Sequence, residues 1–122
     1  MVTFKSTDNI VTVIVGIDGD VPPKDILRDL EESVNMKINA TVPDFEVARD
    51  TVGLTINEYP SEEQRDFLGG GTLYIAKFDV NLGEVDVGVG MVNATHNEVV
   101  ERIDDLGFLI SGTTTVWDEK TI

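Results

Sequence analysis

The segment Thr72–Val92 reads TLYIAKFDVNLGEVDVGVGMV. Tyr74, Ala76, Phe78 and Val80 alternate with Ile75, Lys77 and Asp79. Beyond Asn81-Leu82-Gly83-Glu84, the residues Val85, Val87, Val89 and Met91 alternate with Asp86, Gly88 and Gly90. Period-two alternation places each set on one face of a sheet. The segment therefore predicts two strands joined by a turn at Asn81–Glu84, a hairpin with one apolar face and one polar or glycine-lined face. The apolar face needs a cover, and amphipathic helices elsewhere in the chain are the candidates.

Upstream, Asn9–Ile17 is a strand with apolar residues on both sides: Val11, Val13, Val15 and Ile17 on one, Ile10 and Ile14 on the other. Such a strand belongs in the middle of a sheet. Asp18-Gly19-Asp20 makes a turn, and Pro22-Pro23 stands where a helix starts. Lys24–Met36 carries one apolar stripe, Ile26, Leu27, Leu30 and Val34, and reads as a helix. Lys37–Val42 is expected as a strand through Ile38, Ala40 and Val42, interrupted by Pro43-Asp44. Phe45–Val47 fits a strand or a loop. Thr51–Tyr59 is a strand with Val52, Leu54 and Ile56 aligned. Pro60–Gly71 is a loop or short helical turn ending in a pliable triple glycine, Gly69, Gly70 and Gly71.

Downstream, Thr95-His96-Asn97-Glu98 matches a capping box, so a second helix is expected from there to Leu106, with Gly107 as its left-handed stop. Leu109–Asp118 is a last strand, rich in strand formers at Thr113-Thr114-Thr115-Val116-Trp117. The expected fold is α+β over a single domain, 1–122. It places two helices on one face of a mostly antiparallel sheet of about five or six strands, ferredoxin-like, βαββαβ with an extra strand.

The net charge of −14 comes from 23 acids against nine Lys and Arg and is spread along the chain. Such a field repels nucleic acid and anionic membrane, so neither is expected as a partner. It suits solubility, salt-rich (halophilic) surroundings or a basic protein. There is no cysteine, which excludes disulfides, thiolate nucleophiles and Cys-based metal sites. No apolar run reaches the length of a membrane span, and the opening MVTFKSTDN has no secretory pattern; a soluble protein of the cytoplasm or of a virion is expected.

Candidate sites are few. His96 is the one histidine and reads as an exposed residue or a minor capping element of a first helical turn. Neither Ser33 nor Ser111 lies in a nucleophile elbow. Asp18 and Asp20 fit turn and cap roles, without the spacing of a calcium loop. The triple glycine precedes a strand, so it is not a phosphate loop. No catalytic, metal or cofactor residue is expected. The interaction candidates are Gly69–Gly71 as an adjustable loop, and Gly88 and Gly90 with Glu84 and Asp86 on the hairpin's flat face. Thr113 and Thr115 on a possible sheet edge complete the set.

The leading expectation is a non-catalytic interaction or assembly module working with other protein chains, such as a subunit of a virus particle or tail. A second is an acidic inhibitor that mimics nucleic acid, which needs the carboxylates of residues 79–105 on one face. A third comes from Ile14-Val15-Gly16-Ile17-Asp18-Gly19, which resembles the strand-and-turn opening of ACT-type domains. That resemblance implies a small-ligand regulatory site near Asp18 and Asp20.

Overall fold

The computed structural model describes residues 7–41, 52–83 and 87–121. In chain order these form β1 (Thr7–Ile17), α1 (Lys24–Thr41), β2 (Val52–Asn57), α2 (Glu62–Leu68), β3 (Tyr74–Gly83), α3 (Val89–Asp105) and β4 (Ile110–Thr121). The fold is α+β: three helices and a four-stranded sheet in the order β2-β3-β1-β4, with antiparallel neighbours throughout.

β1 takes the central position expected of it, although α1 and α3 cover only one of its two apolar faces and Ile10 and Ile14 on the other are half-buried. It lies between β3 and β4, and Val11, Val13 and Val15 are completely buried. Tyr74, Ala76, Phe78, Val80 and Leu82 of β3 share that face. Leu30, Val34 and Ile38 of α1, with Val99 and Ile103 of α3, close it from above. Each such aliphatic side chain withdrawn from water contributes roughly 1.5–3 kcal/mol before entropy is charged against it. Lys37 clamps the two helices, its Nζ 3.5 Å from Glu98 and 3.3 Å from Glu101.

One expected strand is helix instead and a second turns helical at Val89, which is why four strands stand among the described residues where five or six were anticipated. Lys37–Thr41 extends α1. Ile38 follows Leu30 and Val34 at four-residue intervals and is fully buried, whereas Ala40 is exposed, so the period is helical. Ile26, placed on the stripe by sequence, is instead largely exposed.

The hairpin is the larger correction. β3 forms as read, but Val89–Met91 opens α3, and Val89 is 70% exposed. The physical reason is twofold. β3 has β1 on one side and β2 on the other, so no flank is left for a hairpin partner. In addition, Met91, Thr95, Val99 and Ile103 recur every four residues and extend the helical stripe back before Thr95. Thr95 does not cap the helix: it is buried inside it and its Oγ1 donates to Met91 O at 2.8 Å. Gly88 stands at the start, its carbonyl accepting from Met91 N and Val92 N, both at 3.1 Å. Gly107 closes the helix as expected, with φ of 89° and its amide on Asp104 O.

Candidate docking surfaces

The helices α1 and α3 cover one face of the sheet. On the other lie Ile10, Thr12, Ile14 and Gly16 of β1, Ile75, Lys77 and Asp79 of β3, Thr55 of β2, and Gly112, Thr114, Val116 and Asp118 of β4. The short α2 sits on one end of this face. A capping box sets its start: Gln64 N donates to Ser61 Oγ at 3.1 Å and Ser61 N to Gln64 Oε1 at 2.8 Å.

Two glycines let α2 approach the sheet. A Cβ on Gly112 would lie 1.9 Å from Leu68 O, and one on Gly16 would lie 2.6 Å from Thr72 Oγ1. Leu68 is thereby buried, and the hydroxyls of Thr72 and Ser111 meet at 2.5 Å below it. The next residue, Phe67, points elsewhere and is 73% exposed.

Between α2 and the strands runs a groove of about 480 Å³. Ile14, Phe67, Leu68 and Ile75 make it apolar, and Glu63 and Lys77 stand in its lining. It shares Ile14 and Lys77 with a second hollow of about 280 Å³ that reaches Asp79, Val116 and Asp118. Asp79 is fixed by Thr12, whose Oγ1 donates to Asp79 Oδ1 at 2.7 Å. The face thus offers apolar side chains to water among carboxylates and one lysine.

The two edges of the sheet differ. At the β2 edge, Leu54 N donates to Glu31 Oε2 of α1 at 2.9 Å, so a side chain occupies an outward amide. At the β4 edge, among the described residues, no backbone group of Thr113–Trp117 bonds to any element besides β1. Thr113 and Thr115 turn their side chains toward α3, where Thr115 Oγ1 meets His96 Nδ1 and Thr113 Oγ1 lies 3.4 Å from His96 Nε2. His96 therefore spans α3 and β4 and is half-buried, which its reading as an exposed first-turn residue missed. Trp117 is 40% exposed and donates from Nε1 to Asn9 Oδ1 at 3.2 Å.

The other sequence-derived candidates scatter. Gly69–Gly71 is tied down: Gly69 N donates to Arg65 O, Thr72 N to Gly69 O, and Arg65 Nη2 to Gly70 O. Gly69 has φ of 117°, and a Cβ there would lie 2.8 Å from Ser111 O. Gly88 and Gly90 begin α3 and belong to no sheet face. Glu84 and Asp86 lie outside the described residues. Phe67, Glu31 and the Gly16–Gly112 pair were not singled out by sequence. Ser61-Glu62-Glu63-Gln64 carried the capping signal that would have placed α2.

Chemically, the described residues offer little convergence. Asp18 and Asp20 are exposed, and no group of three or more His, Asp or Glu among the described residues is placed to hold a metal ion. Tyr74 is buried at the start of β3, and its hydroxyl has no hydrogen-bond partner among the described residues. Burial pushes its pKa up to about 12 from 10.0.

No family of known proteins matches the chain, and no curated protein does. Among solved structures it is similar to an amidase (hydantoinase/carbamoylase family) from Burkholderia phymatum, at 13% identity and a TM-score of 0.30. That likeness spans 96% of this chain and 29% of the amidase chain.

Proposed function

We propose that this chain is a non-catalytic interaction module, a subunit of a larger protein assembly, whose uncovered sheet face receives a basic partner protein. The arrangement underneath is read as ferredoxin-like: β1-α1-β2 and β3-α3-β4 each cross over one intervening strand, which supports a split βαβ pair. The supporting observation is the continuous groove beneath Phe67, apolar at its floor and bordered by Glu63, Asp79 and Asp118. An exposed aromatic next to a concave apolar floor is the anatomy of an anchor site. The occupant that fits has an apolar anchor flanked by Lys or Arg, because the face is mainly acidic and the chain carries −14.

The reading as a nucleic-acid mimic has less support. Asp79 lies on the open face, whereas Glu98 and Glu101 sit in the helical layer and pair with Lys37. Among the described residues, the carboxylates of Asp79 and of Glu98 and Glu101 therefore lie on two different sides of the sheet.

The test uses the tagged chain beside a Phe67→Ser variant. A basic protein should be retained by the parent, lost at least about tenfold on removing the ring, and released as salt rises past the screening length. A chain that stays monomeric in light scattering and retains no partner, or a partner indifferent to Phe67→Ser, overturns the docking face.

A further inference from the structure

The direction of the backbone groups at the centre of the sheet follows from one contact. Leu54 N bonds to Glu31, so the peptide groups of Leu54 turn away from β3. Opposed residues in an antiparallel pair either exchange both hydrogen bonds or neither. Phe78, opposite Leu54, thus turns its groups the other way and bonds Val13 of β1. Val13 is then occupied on the β3 side, and Thr115 opposite it points its N–H and C=O out of the sheet. The register between Ile10 and Gly16 is free of shifts on both sides, so Thr113 and Trp117 follow Thr115. Three residues of β4 present a full donor and acceptor row on the outer side of the sheet, with no backbone partner among the described residues.

We infer that this row pairs with β4 of a second copy of the chain, antiparallel, in a two-fold dimer whose sheet runs through both subunits. A strand edge is self-complementary when turned about a two-fold axis, so one surface serves both copies. With the axis at Thr115, each Thr113 faces Trp117 of the other copy, and Thr115 faces its equivalent. Threonine and tryptophan are favourable cross-strand neighbours. In that register Asp118 and Glu119 fall opposite Gly112 and Ser111 of the second copy, so no two carboxylates oppose each other. The outer edge of β4 carries none of the sequence devices that discourage such pairing at its centre: no proline and no charged residue between Ile110 and Trp117, and its outward groups have no backbone partner among the described residues. The β2 edge, with Glu31 on Leu54, is the protected one.

The outward row of Thr113, Thr115 and Trp117 lines neither hollow, and Phe67 lies away from β4's outer edge. Thr115→Pro and Phe67→Ser therefore let the two readings fail separately, even though Val116 and Asp118 border both surfaces. Two chains of −14 repel each other, and the dimer therefore strengthens as salt screens them, opposite to the basic partner of the groove.

The experiment is sedimentation equilibrium of the full chain at low and high salt, with backbone amide exchange followed by NMR. The expected result is a dimer whose association constant rises about tenfold with salt. In it, the amides of Thr113, Thr115 and Trp117 exchange at least about tenfold more slowly than in the dilute monomer. Thr115→Pro removes one outward donor and should weaken the dimer at least about tenfold. Val116→Glu, at an exposed position beside the seam, should weaken it in the same sense even if the proline variant unfolds. A monomer at every salt overturns the inference, as does a dimer in which those three amides exchange as in the monomer. So does protection of those amides that appears only with a different protein bound.

Discussion

The sheet ends in two unlike edges. β2 is six residues long, and a carboxylate from α1 reaches round to take one of its outward amides. β4 is twelve residues long, and the outward groups at its centre have no backbone partner among the described residues. An edge amide left to water gives up little, because water replaces the partner. What it gives up is selectivity, since any strand can then attach. One side of the molecule is closed to that attachment by a single glutamate, and the other is left available.

The edge strands each carry a glycine, and these give the largest contrast. Gly112 on β4 lies under α2, where a Cβ would meet Leu68 O at 1.9 Å; Gly53 on β2 has nothing within 4 Å. Gly112→Ala should cost about 3 kcal/mol and lift α2 from the sheet. Gly53→Ala should change stability by less than about 0.5 kcal/mol. Urea unfolding of the pair measures the gap, and equal effects would mean that α2 does not rest on β4.

The next effect concerns Tyr74 on β3, the inner strand beside the β2 edge. Below pH 10 its hydroxyl is protonated folded or unfolded, so it contributes no pH dependence. Between pH 10 and about 12 the unfolded chain loses the proton while the folded chain keeps it, so stability falls as pH rises. The loss should approach roughly 2–3 kcal/mol by pH 12. Tyr74→Phe should abolish it, and should leave stability at neutral pH equal or higher, because the hydroxyl has no partner among the described residues. Melting temperatures of the two proteins across that interval decide the point.

The smallest effect bears on the guarded edge itself. Glu31→Ala should cost about 1 kcal/mol through the lost charge-assisted bond. Exchange at Leu54 should accelerate, and the variant should self-associate through β2 as well. Unchanged Leu54 exchange would show that Glu31 is no guard.

These features were unequally visible in the amino acids. The central place of β1 was legible in its long apolar run, although only its Val11–Val15 face is covered by α1 and α3, and Gly107 marked the end of α3 correctly. Asp86–Met91 misled because it alternates apolar residues with Asp or Gly, while its tail begins a four-residue stripe running to Ile103. Local pattern could not choose between them; the choice was made by β1 and β2 occupying both sides of β3, which is a property of the whole sheet. The capping motif was sought at Thr95–Glu98, whereas Ser61–Gln64 carries it. Four residues of that type recur by chance, and only the buried site of Thr95 distinguishes them. Of the candidate site, Thr113 and Thr115 were recognised as edge residues. Their contact with His96, the Glu31–Leu54 bond and the seat of Phe67 arise between elements distant in sequence, so no single stretch announces them.

The pairing of β1 with β4 sets Thr7 beside Thr121. A chain leaving the ribosome must therefore hold β1 with one flank vacant until β4, beyond five intervening elements, has been made. Closing so long a loop is slow, and the waiting strand is a natural client for a chaperone.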